Sequence, residues 1–393
     1  MNPWPVVRMP SPPLSGIPGS SSWNRYSFIL PSEDVTTFPY SSISNEELQL
    51  LFTLDTVHPY LSHRIVHSRG KNDSTKNPLS PNLIEPIHVC PRRLIDTRTL
   101  QLVEFEDPDT IIPPYAILSH RWFPSEEVVY DEFLHPREDT KSKSGYLKIE
   151  ASAREARQDG ISYIWIDTCC IKQGDHADVA ANITSMFAFY QNAEVCYAYL
   201  VDVGVFDMFS PESQPFLHLE SEWFTRGWTL QELVAPRTVI FFNRHWHRIG
   251  DKNSDALLRH AIHQRTTIPP SILSGVQSLQ EINVLTRMTW STGRETTKPQ
   301  DRAYCVQGLL GINDIEPDYN EKPWRSFNRL GKALAQANPQ FLKELGIGDG
   351  DEVFGDMDSF IFYQQLRTRL DDEKLRMLGF VRGQSYSRGS GND

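Results

Sequence analysis

Short apolar runs alternate with longer amphipathic stretches through the middle of this chain. The runs are Tyr115-Ala116-Ile117-Leu118-Ser119, Ile161-Ser162-Tyr163-Ile164-Trp165-Ile166-Asp167, Val195-Cys196-Tyr197-Ala198-Tyr199-Leu200-Val201 and Thr238-Val239-Ile240-Phe241-Phe242. They are short, bounded by polar residues and mostly continuous, the pattern of strands buried on both faces. The stretches between them have helical spacing. Residues 146–158 carry Leu147, Ala151, Ala153 and Ala156, with Gly160 placed to end a helix in a left-handed turn. Residues 179–192 set Ile183, Met186, Phe187 and Tyr190 at i, i+3, i+4 and i+7. Residues 221–236 open on Ser221 and close on Pro236, so they predict a third helix on which Trp228 and Glu232, four apart, share a face. Alternation of this kind builds an α/β fold, a parallel sheet flanked by helices on both faces.

The flanks read differently. Arg93-Leu94-Ile95-Asp96 and Gln101-Leu102-Val103-Glu104-Phe105 predict a hairpin turning around Thr97 to Thr99. Beyond Asn253 the pattern is mostly helical, and residues 360–380 offer Phe362, Leu366, Leu370 and Met377 on one amphipathic face. Residues 1–40 are loaded with Pro and Ser and lack a periodic apolar face; a capping box at Ser44 opens a short helix, and residues 67–81 form a polar linker. Residues 382–393 are rich in Gly and Ser and read as a loose tail. The expected organisation is thus a Pro/Ser-rich, partly disordered segment over 1–88, an α/β core over 89–250, a helical part over 251–330, and a helical extension with tail over 331–393.

Composition narrows the function. With a net charge of -11 the chain lacks the cationic surface that nucleic acid or an anionic membrane requires. Nothing approaches the roughly 20 apolar residues of a membrane span, and the first residues lack the apolar centre of a signal peptide. Five cysteines, without a CxxC pair, fit free thiols in a reducing cytoplasmic setting. Adjacent Cys169 and Cys170 lack metal-ligand spacing, no nucleotide-binding glycine motif occurs, and neither a metal nor a cofactor is expected.

In open α/β sheets ligands sit beyond the carboxyl ends of the strands. That rule selects Ser119, His120, Arg121 and Trp122 after the first run, and residues 167–172 after the second. His120 and Trp122 either face a ligand or fill the core, and Arg121 is either a phosphate contact or surface charge. Asp167 either binds ligand or caps the loop that follows the second strand. Arg226 fits a structural ion pair better than an anion contact. A nucleophilic role for Cys169 or Cys170 needs a depressed pKa and a positioned base that the sequence does not display. Glu232 beside an indole is either a shielded structural acid or a working carboxylate in an aromatic pocket.

Several blocks in fixed order resemble the fungal heterokaryon incompatibility (HET) domain. They are Ala116-Ile117-Leu118-Ser119-His120-Arg121-Trp122; Tyr163-Ile164-Trp165-Ile166-Asp167-Thr168-Cys169-Cys170-Ile171; Ile183-Thr184-Ser185-Met186-Phe187 leading to Tyr190; Trp223-Phe224-Thr225-Arg226-Gly227-Trp228-Thr229-Leu230-Gln231-Glu232-Leu233; and Arg294-Glu295-Thr296-Thr297 through Asp301-Arg302-Ala303-Tyr304-Cys305. Phe123 stands where the family has Gly, Gln300 where an acidic residue commonly precedes Asp301, and Tyr319-Asn320-Glu321-Lys322 replaces a Tyr-Gly-Glu-Gly segment. The resemblance implies a role in nonself recognition, with programmed cell death after fusion of incompatible cells. HET domains in turn look like relatives of the TIR fold, which implies a TIR-like, flavodoxin-type α/β core, a parallel sheet flanked by helices. The segment from Trp223 to Leu233 ends as the TIR Trp-Cys-x-x-Glu-Leu helix does, with an insertion between Trp and Glu. In NAD-cleaving TIR enzymes the glutamate of that helix is catalytic, and Glu232 is the position that matches it. The resemblance thus implies NAD or a related nucleotide as substrate, Glu232 as the catalytic acid, and Ser119, His120, Arg121, Trp122, Asp167 and Trp228 around the substrate. The alternative is a non-enzymatic module that self-associates or recruits a protein partner.

Overall fold

The computed structural model describes residues 89–105, 110–204 and 221–338. The Pro/Ser-rich segment, the capping box at Ser44, the linker 67–81, the amphipathic stretch 360–380 and the C-terminal tail lie outside the described residues.

Seven strands form one sheet: β1 (Arg93–Asp96), β2 (Leu102–Glu104), β3 (Tyr115–His120), β4 (Tyr163–Trp165), β5 (Val195–Leu200), β6 (Val239–Asn243) and β7 (Arg248–Asp251), in the order β2-β1-β4-β3-β5-β6-β7. The four apolar runs are the parallel strands β4-β3-β5-β6, with β3 central and every residue in it buried. The sheet as a whole is mixed, because β1 runs antiparallel to β4 and β2, and β7 antiparallel to β6. Tight turns dictate this: the β1–β2 and β6–β7 connections are too short for the crossover that a parallel pair needs. Asp96 Oδ1 accepts from the backbone N–H of Arg98 and Thr99 at 2.9 and 2.8 Å and shapes the first turn. Asn243 Oδ1 does the same for His245 and His247 at 2.9 and 3.0 Å in the second.

The helices are α1 (Tyr130–Leu134), α2 (Glu138–Lys141), α3 (Ser144–Gln158), α4 (Asp167–Cys170), α5 (His176–Asn192), α6 (Thr229–Val234), α7 (Ala256–Thr266), α8 (Pro270–Leu273), α9 (Val284–Thr289), α10 (Asp301–Gln307) and α11 (Pro323–Ala337). From β3 the chain steps through α3 to β4 on one side, then through α5 to β5 on the other. Right-handed crossovers in opposite directions put α3 and α5 on opposite faces of the sheet. The step from β5 to β6 continues the second direction, so α6 joins α5, which it contacts. The reversal leaves a switch point between the carboxyl ends of β3 and β5.

α5 is fixed by its predicted stripe and by two tyrosines. Met186 and Tyr190 are buried, Trp165 meets Phe189 and Tyr190 edge-on, and Asp175 caps the first turn. The Tyr115 hydroxyl donates to the Phe189 carbonyl at 2.6 Å, and the Tyr190 hydroxyl to the Leu118 carbonyl at 3.0 Å, pinning α5 against β3. One hydrophobic core runs from Leu94 to Leu334, so the helices after β7 share it with the sheet. The second strand is shorter than the apolar run. It stops at Trp165, and Asp167 opens α4 instead of ending the strand.

Candidate functional site

Neighbouring strand residues point to opposite faces, and the last two residues of β3 use both. Ser119 turns toward α6, and His120 toward α4.

On the Ser119 side lies the segment 221–236, which the sequence predicts as one helix. It is two pieces. Ser221 caps a single 3-10 turn, Glu222–Thr225, by accepting from Trp223 N at 3.2 Å, and α6 begins only at Thr229. Between them Arg226 is extended and bridges Glu295: Gly227 N donates to the Glu295 carbonyl at 2.8 Å, and Glu295 N to the Thr225 carbonyl at 2.7 Å. Gly227 is required there, since a Cβ would sit 2.5 Å from Thr296 Cγ2. The break rotates α6 so that Glu232 points inward, 5% exposed.

Glu232 Oε2 accepts the Ser119 hydroxyl proton, and Ser119 Oγ accepts from Trp223 Nε1 at 2.8 Å. The carboxyl also interacts with the Tyr190 hydroxyl. Burial pushes the Glu232 pKa up to about 8, the nearby Asp167 charge adds to the rise, and the Ser119 hydroxyl and Arg294 oppose it. A neutral Glu232 suits this chain of donors: Trp223 donates to Ser119, Ser119 to Glu232, and Tyr190 to Leu118, leaving the Tyr190 oxygen to accept from the acid. Arg294, equally buried, spans Trp290 O at 3.1 Å, Arg226 O at 2.9 Å and Thr229 Oγ1 at 3.2 Å, while its Nη2 has no hydrogen-bond partner among the described residues. Desolvation lowers its pKa to about 10.

The indole beside Glu232 is therefore Trp223. Trp228, four residues before Glu232, hydrogen-bonds Asp301 at the start of α10. Burial raises the Asp301 pKa, and bonds from Tyr319 and Trp228 hold part of that rise back.

On the other face His120 Nε2 meets Asp167 Oδ1 at 2.9 Å, and Trp122 Nε1 donates to Asp167 Oδ2 at 2.9 Å. Asp167 thus does two things, since its Oδ1 also accepts from Thr168 N at 2.7 Å in the first turn of α4. Behind His120 lies a buried ion pair, Lys148 Nζ to Glu127 Oε1 at 2.6 Å, and Glu127 Oε1 further accepts from Phe123 N at 2.9 Å. Burial lowers the Lys148 pKa, with Glu127 opposing.

The remaining candidates are placed apart. Arg121 pairs with Glu222 and lies 5.1 Å over the Phe123 ring, so its charge already has a partner. Arg226 donates to Thr297 Oγ1 at 2.8 Å and forms no ion pair among the described residues. Cys169 and Cys170 are buried, and desolvation raises the Cys169 thiol pKa and lifts that of Cys170 to about 12, away from nucleophilic chemistry. At the end of β3, Ser119 and Glu232 meet on one face of the sheet, and His120, Trp122 and Asp167 meet on the other; Arg121 and Trp228 have partners elsewhere. Residue-level reasoning missed Trp223, Tyr190, Arg294, Glu127 and Lys148 as members of the cluster. Three of them stood inside the family-like blocks, whereas Glu127 and Lys148 carry no sequence signal beyond their charge.

Comparison with known proteins follows the same region. Residues 115–208 match the family described as heterokaryon incompatibility protein (HET). The HET-matching stretch begins at the first residue of β3 and includes Ser119, His120, Asp167 and Tyr190. The chain is also 40% identical over 233 residues to the vegetative incompatibility protein HET-E-1 of Podospora anserina, an alignment covering 58% of this chain and 17% of that protein. This chain therefore spans less than a fifth of the length of that relative. No solved structure matches.

Proposed function

We propose that this chain acts in heterokaryon incompatibility, triggering programmed cell death when unlike fungal cells fuse, and that it does so by cleaving NAD or a related nucleotide. The HET match and the identity to a vegetative incompatibility protein support the biological role. One observation carries the chemical reading: a buried glutamate, Glu232, meets Ser119 at the carboxyl end of β3, beside the strand-order reversal. The order of the four parallel strands, β4-β3-β5-β6, follows the flavodoxin-type pattern and so supports the TIR-like reading.

In such a reaction the ribose–nicotinamide bond breaks with its electron pair leaving on nicotinamide, and water supplies the new oxygen and releases a proton. A carboxylate at Glu232 stabilises the oxocarbenium-like cation between those events. At rest Glu232 is neutral and covered by Ser119 and Trp223. The positive nicotinamide ring of the substrate favours the ionised acid, so binding and ionisation are coupled. Uncovering Glu232 is the step that self-association or a protein partner would drive, and the half-exposed Trp122 offers an indole face at the same edge.

One observation favours the non-enzymatic alternative. The Glu232 network is closed on itself, as a structural acid would be. Purified protein incubated with NAD discriminates the readings. Nicotinamide release by the native chain, lost in Glu232→Ala with the fold retained, is the expected result. Cell killing that persists in a folded Glu232→Ala protein overturns the enzymatic reading.

A further inference from the structure

A cavity of about 520 Å³ lies away from the Glu232 cluster, where the end of α6 (Val234 to Pro236) meets α8, α9, and the turn following α10. Arg237 lies two residues before β6, so the cavity sits toward the amino end of that strand, opposite the end that holds Ser119 and His120 on β3. Its volume falls within the range of small-molecule sites.

The lining is one-signed. Arg237, Lys252 and Arg287 contribute to it, none of its lining residues is Asp or Glu, and none of the three cations has a carboxylate within ion-pair distance among the described residues. In a chain with a net charge of -11 such a grouping is not a sample of average composition. Lys252 is 2% exposed and its Nζ donates to the carbonyls of Leu233 at 2.8 Å and Pro236 at 2.7 Å, at the end of α6. An ammonium has three donors, so one is left over. Arg287 Nη1 donates to the Leu309 carbonyl at 2.8 Å, while its Nε is buried without a hydrogen-bond partner among the described residues. Desolvation lowers the pKa of both groups, that of Lys252 to about 8. Lys252 is buried and Arg287 half-buried; a cation withdrawn from water without counter-charge is costly, and that cost falls when an anion arrives.

The rest of the wall is mixed. Phe187 and Leu273 supply apolar surface, and Gln277 with Gln191 supplies amides. We propose that this cavity is a binding site for a small organic polyanion, held by Arg237, Lys252 and Arg287. Guanidinium groups favour phosphate and carboxylate oxygens alike, so the shared chemistry is several negative charges on a compact body. Because Val234 and Ala235 line the cavity and Glu232 belongs to the same helix, the ligand would touch the element that carries the acid.

Isothermal titration of the full chain with pyrophosphate, ADP and citrate tests this. At least one probe is expected to bind with a submillimolar Kd, weakened about tenfold or more by Arg237→Ala or Arg287→Gln. Arg237 is exposed, so Arg237→Ala leaves folding intact, and circular dichroism checks both variants. Binding of pyrophosphate or ADP without citrate identifies a phosphate ligand; citrate alone identifies a polycarboxylate. Arg98→Ala, which removes an exposed cation in the β1–β2 turn, is expected to leave the affinity unchanged. Absence of binding by all three probes, affinity indifferent to both pocket substitutions, or an equal loss in Arg98→Ala would overturn the proposal.

Discussion

Replacing Glu232 with Gln should make the protein more stable as pH rises, relative to the native chain. The native acid titrates at about 8 against an ordinary value of 4.5, chiefly because it is desolvated. Below pH 4.5 the folded and unfolded states both hold the proton, and Glu232 adds no pH dependence. Above it the unfolded chain releases its proton while the folded protein keeps it, so stability falls until the folded pKa is passed. At ~1.4 kcal/mol per pH step the loss is about 3 kcal/mol by neutral pH and about 5 kcal/mol at alkaline pH. Against a typical total of roughly 5–15 kcal/mol that is a large fraction. Gln preserves the connections of the neutral acid: its carbonyl can accept from Ser119 and its amide can donate to Tyr190. Urea denaturation of both proteins at about pH 5, 7 and 9 reads the effect, because groups remote from Glu232 titrate alike in the two. The stability difference should swing toward Glu232→Gln by several kcal/mol between the lowest and highest pH. A difference constant to within about 1 kcal/mol would show that Glu232 ionises normally, and the neutral hydrogen-bond chain would fall with it.

Two further outcomes follow from the same geometry. Lys148→Met strands Glu127, 4% exposed on its side chain, without its cation, and should cost about 3–5 kcal/mol by denaturation. Glu127→Gln added to it should recover much of that loss, and a single substitution costing under about 1 kcal/mol would mean the pair is hydrated. Gly227→Ala forces a Cβ to 2.5 Å from Thr296 Cγ2 and 3.1 Å from Cys305 Sγ, an overpacking worth about 1–3 kcal/mol. Thr296→Ser, which removes that methyl, should restore part of the stability; a neutral Gly227→Ala would show that the 295–297 segment shifts freely.

The parallel centre of the sheet is legible in the sequence because a strand covered on both faces must be apolar throughout. Tyr115 to Leu118 and Val195 to Leu200 announce themselves without any partner being known. The stripe on α5 is legible for the same reason, its Ile183, Met186 and Tyr190 facing one way. Edge strands are harder: β7, at the edge and only partly buried, carries Arg248 and Asp251, and its identity comes from the Asn243 turn that folds it back on β6. Asp167 shows how an end is misjudged. An apolar run followed by an acid reads as a strand end, yet the acid opens α4, and what Asp167 binds, His120 and Trp122, arrives from another strand.

The segment 221–236 marks where local pattern gives out. Serine start, proline stop and a four-residue Trp–Glu spacing all favour a continuous helix, and no residue within the segment forbids it except Gly227. What breaks it is Glu295, far along the chain, whose backbone takes the hydrogen bonds of Thr225 and Gly227. Long-range pairing of this kind leaves no periodicity to read. It also decides the chemistry: the interruption turns Trp228 to Asp301, frees Trp223 to reach Ser119, and delivers Glu232 beneath both. The acid near an indole is real, but the indole is a different one, and the distant strand-like contact selects it. Any account of Glu232, as catalyst or as structural acid, therefore has to include Gly227 and the 294–297 stretch that hold α6 in place.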